Sequence, residues 1–303
     1  MTEVFLAREA LADGLSRKDL RRFYRPLFRG VHVPKSSAPE LFDRTLGAWL
    51  TSDRTGIIAG VAASALHGAK FVDDDQLIEV LADERRRQAG LVIRTDRVAQ
   101  DEVMVVRGIP VTTPARTAFD IGRYVARTRA LGRLDALQRA APFSAVDVED
   151  LLARYGPVRG VRQLRELLPL VDAGAESPKE SWLRLLLIDA GLPVPETQIP
   201  VFDGGVPFAF LDMGWREAKF AVEYDGDHHR LDRPSYIRDL RRLPRIEAEG
   251  WQVMRVINED HPADIQIRAR AAYLRRAETD EMPGSTRSFG PVRRFRREKG
   301  DAA

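Results

Sequence analysis

The chain has 303 residues, of which 44% are apolar, 31% charged and 8% aromatic. At about 150 residues per domain this suggests two domains or slightly more, and the apolar content can bury a core, which excludes wholesale disorder. No cysteine is present, which excludes disulfides, thiolate metal sites and cysteine nucleophiles. No apolar run approaches the roughly 18–20 residues of a membrane span. The first residues are charged from Glu3 and lack the apolar core of a secretion signal, so a reducing, cytoplasmic setting is expected. The 48 basic residues outnumber the 45 acidic ones by only +3, and most of them are arginines. Net charge therefore selects no partner, and the distribution of charge has to.

The first 35 residues read as a small unit. An apolar-periodic stretch from Leu6 to Leu11 is followed by the turn Asp13-Gly14-Leu15 and a capping Ser16. The spacing predicts a helix from about Arg17 to Tyr24. Leu20 and Phe23 fall on its core face, and Arg17, Lys18, Arg21, Arg22 and Arg25 surround the rest. Leu27 to Pro34 reads as a short hairpin. Helix, turn, basic helix, hairpin is the order of a winged helix-turn-helix, in which the second helix enters the major groove and its cations contact phosphates. The alternative is a helical hairpin with a solvated basic face.

Residues 40–69 read as helical, in two stretches, Leu41 to Leu50 and Ile57 to His67. His67, just before Gly68, reads as a structural residue at a helix C-terminus, where a cation is favourable. Four strand-like runs follow: Leu77 to Leu81, Leu91 to Arg94, Val103 to Val106 and Ile109 to Thr112. Thr113 then caps a helix whose first position is Pro114, and helical periodicity continues to about Val171. The hairpin Arg29-Gly30-Val31-His32-Val33, the run Ala62-Ala63-Ser64-Ala65-Leu66-His67-Gly68 and the segment from Gly108 to Thr117 resemble the N-terminal half of AbiEi-type antitoxin-like proteins. The resemblance covers about residues 1–170. It implies DNA binding, often at the protein's own promoter, with a cognate toxin or a second copy of the chain as partner.

A turn-rich break at Ala173 to Pro178 marks a domain boundary. Ser177 caps the next helix, with Pro178 at its first position and Glu180 at its third, a capping box. An extended run from Val194 to Phe202, the hairpin signal Asp203-Gly204-Gly205, a strand from Phe208 to Met213 and a strand from Lys219 to Gly226 follow. Alternation puts Glu223 and Asp225 on one face of the last strand. An acidic residue on a helix, an Asp on one strand and an acidic pair on the next is a metal-site arrangement of hard oxygen donors suited to Mg²⁺ or Mn²⁺. A water on such an ion attacks phosphodiesters, and His228 or His229 just beyond the strand would move protons near neutral pH. Read blandly, Glu180 is only a capping residue and Asp225-Gly226 only a turn.

This stretch resembles the DUF559 family, related to the very-short-patch repair endonucleases of the PD-(D/E)XK superfamily. The matching residues are Glu180 in Ser177-Pro178-Lys179-Glu180-Ser181, Asp212 in Phe210-Leu211-Asp212, the run from Val222 to His229, Arg238-Asp239-Leu240-Arg241-Arg242, and Gly250 to Val256. The resemblance implies a Mg²⁺- or Mn²⁺-dependent endodeoxyribonuclease. Glu180, Asp212, Glu223, Asp225, His228 and His229 would be its catalytic residues, and Asp212, Glu223 and Asp225 its metal ligands. One departure stands out: Asp225 occupies the place where the superfamily carries a lysine. Lys219 lies on the same strand face as Glu223 but two pleats from it, about 13 Å at 3.3 Å per residue. The same departure is expected of a catalytically silent DNA-binding regulator.

Arg238, Arg241 and Arg242 on a helix from about Pro234 to Glu249 are candidates for phosphate contacts, and Arg238 for pairing with a site carboxylate. Pro244 is expected to kink or shorten that helix. The expected fold is an α+β N-terminal half with a winged helix-turn-helix (1–38) and a middle region (39–172), followed by an α/β restriction-endonuclease-like domain with a mixed sheet flanked by helices (173–277). A basic tail (278–303) of low apolar content is expected to lack structure. DNA is the expected partner, with no membrane; nothing in the sequence reads a 2′-OH, so RNA cleavage is the weaker rival.

Overall fold

The computed structural model describes residues 2–83, 88–226 and 233–280. The chain is α+β, with three sheets flanked by helices. Strand β1 (Phe5–Leu6) leads into α1 (Ala7–Ala12), α2 (Arg17–Phe23) and the hairpin β2 (Tyr24–Phe28) and β3 (Val31–Pro34), which order as β1-β3-β2. Ser16 starts α2 as expected: its hydroxyl accepts from the Asp19 N–H at 3.0 Å and donates to the Asp19 carboxylate at 2.7 Å. Helix α3 (Leu41–Thr51) lies against all three strands. Gly47 permits this approach, because a Cβ there would fall 2.9 Å from the Leu27 side chain and 3.0 Å from Phe28.

The second sheet comprises β4 (Ile57–Ala59), β5 (Ile78–Leu81), β6 (Leu91–Arg94), β7 (Val103–Val106) and β8 (Ile109–Thr112), in the order β6-β5-β4-β8-β7. The last four match the strand-like runs. The expected helix from Ile57 to His67 is corrected: Ile57–Ala59 is a strand, and only α4 (Gly60–Leu66) is helical. Ile58 and Ala59 are buried at the centre of the sheet, between β5 and β8. There β-branched residues fit the pleat better than a helix. One apolar cluster runs from Leu6, Phe28, Val31 and Ala48 to Ile58, Val80 and Val111, so the first two sheets share a core. Helices α5 (Pro114–Tyr124), α6 (Arg127–Ala140), α7 (Ala145–Tyr155) and α8 (Val161–Leu167) bury a separate leucine-rich layer that includes Leu131, Leu134, Leu137 and Leu164.

Helix α9 (Pro178–Asp189) is shared. Leu185 joins the helical layer, whereas Leu183 and Leu187 face the third sheet. On α6, Asp135 pairs at 2.7 Å with Arg184 of α9, both essentially without exposure. The third sheet orders β9 (Glu196–Asp203), β10 (Val206–Trp215), β11 (Phe220–Tyr224) and β12 (Gln252–Val256) as β12-β11-β10-β9. The first three strands are antiparallel, and β12 is parallel to β11. That parallel pair needs a crossover, which contains α10 (Arg233–Ala248); the helix continues through Pro244 instead of stopping there. The last described helix, α11 (Pro262–Asp280), packs on α9 and β11, and no helix among the described residues is long and apolar enough to cross a membrane. The expected basic tail beyond it lies outside the described residues.

Candidate nucleic-acid interface and carboxylate cluster

Helix α2 presents a cationic surface. Arg17, Lys18, Arg21 and Arg22 are all exposed. Among the described residues, none of the four has an acidic side chain within ion-pair distance, whereas arginines elsewhere are paired in series: Arg54 with Glu9, Arg127 with Asp189, Arg139 with Glu176, Arg216 with Glu196. The four cations are thus available to an external anion. Arg25 is different, because it is half-buried and donates to the Ser37 carbonyl at 3.1 Å. Phe23, assigned to the core face by periodicity, is 52% exposed, with the Arg22 guanidinium 5.1 Å above its ring. The short α2 ends as β2 begins, so its last turn has no second layer to bury the ring. The hairpin is present, but its tip is docked on the chain: the Arg29 N–H donates to Gln88 at 2.8 Å, and the Arg29 carbonyl accepts from Thr51 at 2.7 Å. The free face of this unit is therefore the helix and not the hairpin tip.

His67 is corrected in its charge. It caps α4, and its Nε2 lies 2.7 Å from the Thr112 carbonyl. Burial lowers its pKa against the opposing pull of that hydrogen bond, so the neutral ring is favoured over the expected cation.

In the C-terminal sheet the structure brings Glu180, Asp212 and Glu223 together, from α9, β10 and β11. Glu180 keeps its capping role: Ser177 Oγ accepts from the Glu180 N–H at 3.2 Å and donates to its carboxylate at 2.8 Å, and the other carboxylate oxygen accepts from the Glu176 N–H at 2.8 Å. Asp212 accepts from the Tyr224 N–H at 3.0 Å. Burial, then the neighbouring Glu180 and Glu223 carboxylates, push the Asp212 carboxyl up to about 7. Burial likewise raises Glu180. Glu223, 5% exposed, has Nη2 of Arg242 at 2.7 Å from each of its oxygens. Arg255, directly across the β11–β12 pairing, lies 3.9 Å from Glu223 and 3.6 Å from Asp225. Asp225 and Glu223 thus share Arg255, consistent with the single strand face that alternation gives them. Spacing alone missed Arg255 and the pairing of Arg242; the cross-strand position of an arginine opposite the strand's glutamate was the available signal for the first.

Arg241 is exposed on α10. The side chain of Arg238 and all of His228 and His229 lie outside the described residues. Lys219 precedes β11 and places its ammonium 5.2 Å from the Trp251 ring centre.

The carboxylates have the donor chemistry of a hard divalent cation, yet the arrangement does not fit one. Arg242 occupies both oxygens of Glu223, the Glu180 oxygens hold their own helix terminus, and no group of three His, Asp or Glu among the described residues is placed to hold an ion. Two anionic neighbours nevertheless make ionised Asp212 costly. Because Asp212 holds its proton to about pH 7 when folded and only to about pH 4 when unfolded, its contribution to stability is complete below the lower value and is lost as pH rises through 7. Asp212→Asn mimics the protonated acid. It is expected to stabilise the domain by about 2 kcal/mol at pH 8 and by little at pH 4, after discounting the ~4 kcal/mol that three pKa units represent. Urea unfolding at both pH values tests this; equal effects at the two would refute it.

A cavity of about 660 Å³ lies in the middle region, lined by Asp96, Arg97, Arg116, Arg123, Arg154 and Tyr155 among others. Its cations serve the fold, Arg116 and Arg123 from within and Arg154 from the exposed rim. Arg116 pairs with Glu102 and Asp120, Arg123 with Asp96 at 3.1 Å, and Arg154 with Asp101 at 2.8 Å.

Comparison with known proteins finds relatives and a family match. Two curated relatives from Mycobacterium tuberculosis, described as uncharacterized protein MT2308 (strain CDC 1551 / Oshkosh) and uncharacterized protein Rv2248 (strain ATCC 25618 / H37Rv), are each 35% identical over 155 residues, 51% of this chain and 57% of theirs. The chain thus spans a little over half the length of the relatives it matches. No solved structure matches, and no DUF559 or endonuclease family model does. Residues 54–170, which hold the five-stranded sheet and its leucine-rich helical layer, match the family model described as AbiEi antitoxin C-terminal domain.

Proposed function

We propose that the chain is a DNA-binding regulator of antitoxin type, in which α2 meets the phosphate backbone and the C-terminal domain is a folded, catalytically silent platform. The observation that carries this reading is the set of four exposed α2 cations without acidic partners among the described residues. Phosphates are the natural counter-ions for such a helix, and the exposed Phe23 adds an apolar contact for the groove wall. The match of residues 54–170 to an antitoxin domain supports it. A cognate toxin, or a second copy of the chain, is the protein partner this reading implies. The test is fluorescence anisotropy of the protein on a duplex from upstream of its own coding region and on scrambled duplex. Tighter binding to the upstream duplex is expected; indifference to both duplexes at low salt refutes the reading.

A second reading, phosphodiester cleavage by the C-terminal domain, is favoured by the convergence of Glu180, Asp212 and Glu223 and by the order helix, three antiparallel strands, crossover helix, parallel strand. The regulator reading predicts that plasmid, single-stranded and mismatched DNA survive Mg²⁺ or Mn²⁺ equally with wild type and with the Asp212→Ala/Glu223→Ala double variant. Cleavage by wild type alone would replace the first reading with the second.

A further inference from the structure

We infer that Arg242 is the resident cation of the carboxylate cluster, a tethered guanidinium that excludes divalent ions from Glu223 and Asp212. The inference stands on the geometry of the C-terminal sheet and is independent of DNA binding. Glu223 is buried, and a buried carboxylate without a counter-charge is costly. The chain supplies that charge from α10. Nη2 of Arg242 sits 2.7 Å from both Glu223 oxygens, and Nη1 donates to the Phe210 carbonyl at 3.0 Å. One guanidinium therefore ties β11 to β10 two residues before Asp212, where the carboxylates converge. Arg255 adds a second positive charge behind it, within 4 Å of both Glu223 and Asp225.

A divalent ion at this cluster needs the same oxygens. Carboxylate oxygens that receive charge-assisted hydrogen bonds at 2.7 Å are engaged as acceptors, and a metal ion has to displace those donors to bind. Because the competing cation is covalently tethered, it is always present at high local concentration. The chain thus keeps the acidic residues of a metal centre while filling its cation position from within.

The test is Mn²⁺ binding to the full chain, read by electron paramagnetic resonance of the free ion. Wild type and Arg242→Lys, which keep a cation, are expected to bind weakly. Arg242→Gln is expected to bind Mn²⁺ about tenfold or more tightly, since it removes the guanidinium that engages both Glu223 oxygens. Adding Asp212→Asn to Arg242→Gln is expected to remove the gain. Thermal unfolding identifies any variant that fails to fold, and Arg242→Met, which keeps the apolar stem against β10, then replaces Arg242→Gln. Folded Gln or Met variants that bind Mn²⁺ no better than wild type overturn the inference. So does a gain that survives Asp212→Asn, because it would place the ion elsewhere.

Discussion

Replacing Arg17, Lys18, Arg21 and Arg22 together by alanine is expected to lower affinity for duplex DNA about a hundredfold or more near physiological salt, with the fold intact. Each cation that neutralises a phosphate releases counterions, so the slope of log K against log salt changes by about one unit for every phosphate left without its cation. Removing four cations should flatten that slope by about three to four units. The helix should survive, because alanine is the best helix former and the Ser16 cap is untouched. All four residues are exposed and without acidic partners among the described residues, so their removal leaves no buried charge behind. Arg25→Ala is the contrasting control. Arg25 is bound to the Ser37 carbonyl in the fold, and its removal should move stability more than the salt slope. Anisotropy titrations from low to moderate salt, with circular dichroism on the same samples, give the result. An unchanged slope in the quadruple variant would remove α2 from the interface.

Local chemistry made much of the fold legible. The Ser16, Thr113 and Ser177 caps, the four strand runs of the middle region and the Gly204-Gly205 turn between β9 and β10 are written in residues that act on their immediate neighbours. Strand β1 has only two residues, too short for a period to show. The run after Gly56 is rich in small apolar residues that suit a helix, and only its place between β5 and β8 makes Ile57–Ala59 a strand. For the candidate sites, α2 was readable because a surface helix displays its charge in its own sequence. Alternation likewise puts Glu223 and Asp225 on one strand face, and Arg255 lies within 4 Å of both. What was not readable was which cation each acid would meet. Arg242 reaches Glu223 across 19 residues of sequence through the crossover, a distance no periodicity spans. Phe23 fell on the apolar face of its helix, but a short helix over a short hairpin lacks the material to cover it.

Arg116→Met is expected to cost the middle region about 3–5 kcal/mol at pH 8, as much as breaking a buried ion pair commonly does. Thr113 and Pro114 start the helix that carries Arg116 inward, where 1% of it is exposed. Its guanidinium pairs with Glu102 and, at 3.1 Å, with Asp120, and donates to the Arg97 carbonyl at 2.9 Å. Methionine keeps much of the length and apolar stem but takes one cation from each of two buried carboxylates, leaving Glu102 to Arg154 and the Tyr155 hydroxyl and Asp120 to Arg123 at 3.5 Å. The cost should shrink on acidification, and the sign follows from Asp120. Burial pushes its carboxyl up to about 6 despite Arg116 and Arg123, which both pull it down. A group whose folded pKa is raised contributes stability that is complete below its unfolded value and is lost as pH rises through the folded one. Removing Arg116 takes away a charge that favours the anion, so Asp120 in the variant holds its proton to higher pH. Between about pH 4 and pH 6 the neutral acid then sits in the core without a stranded charge. The penalty measured by urea unfolding should therefore be smaller at pH 5 than at pH 8. Arg116→Lys should rescue little, because one ammonium cannot reproduce a fork that meets Glu102, Asp120 and a carbonyl together. A penalty under about 1 kcal/mol, or one that grows on acidification, would show that the arginine is not what holds these carboxylates in the core.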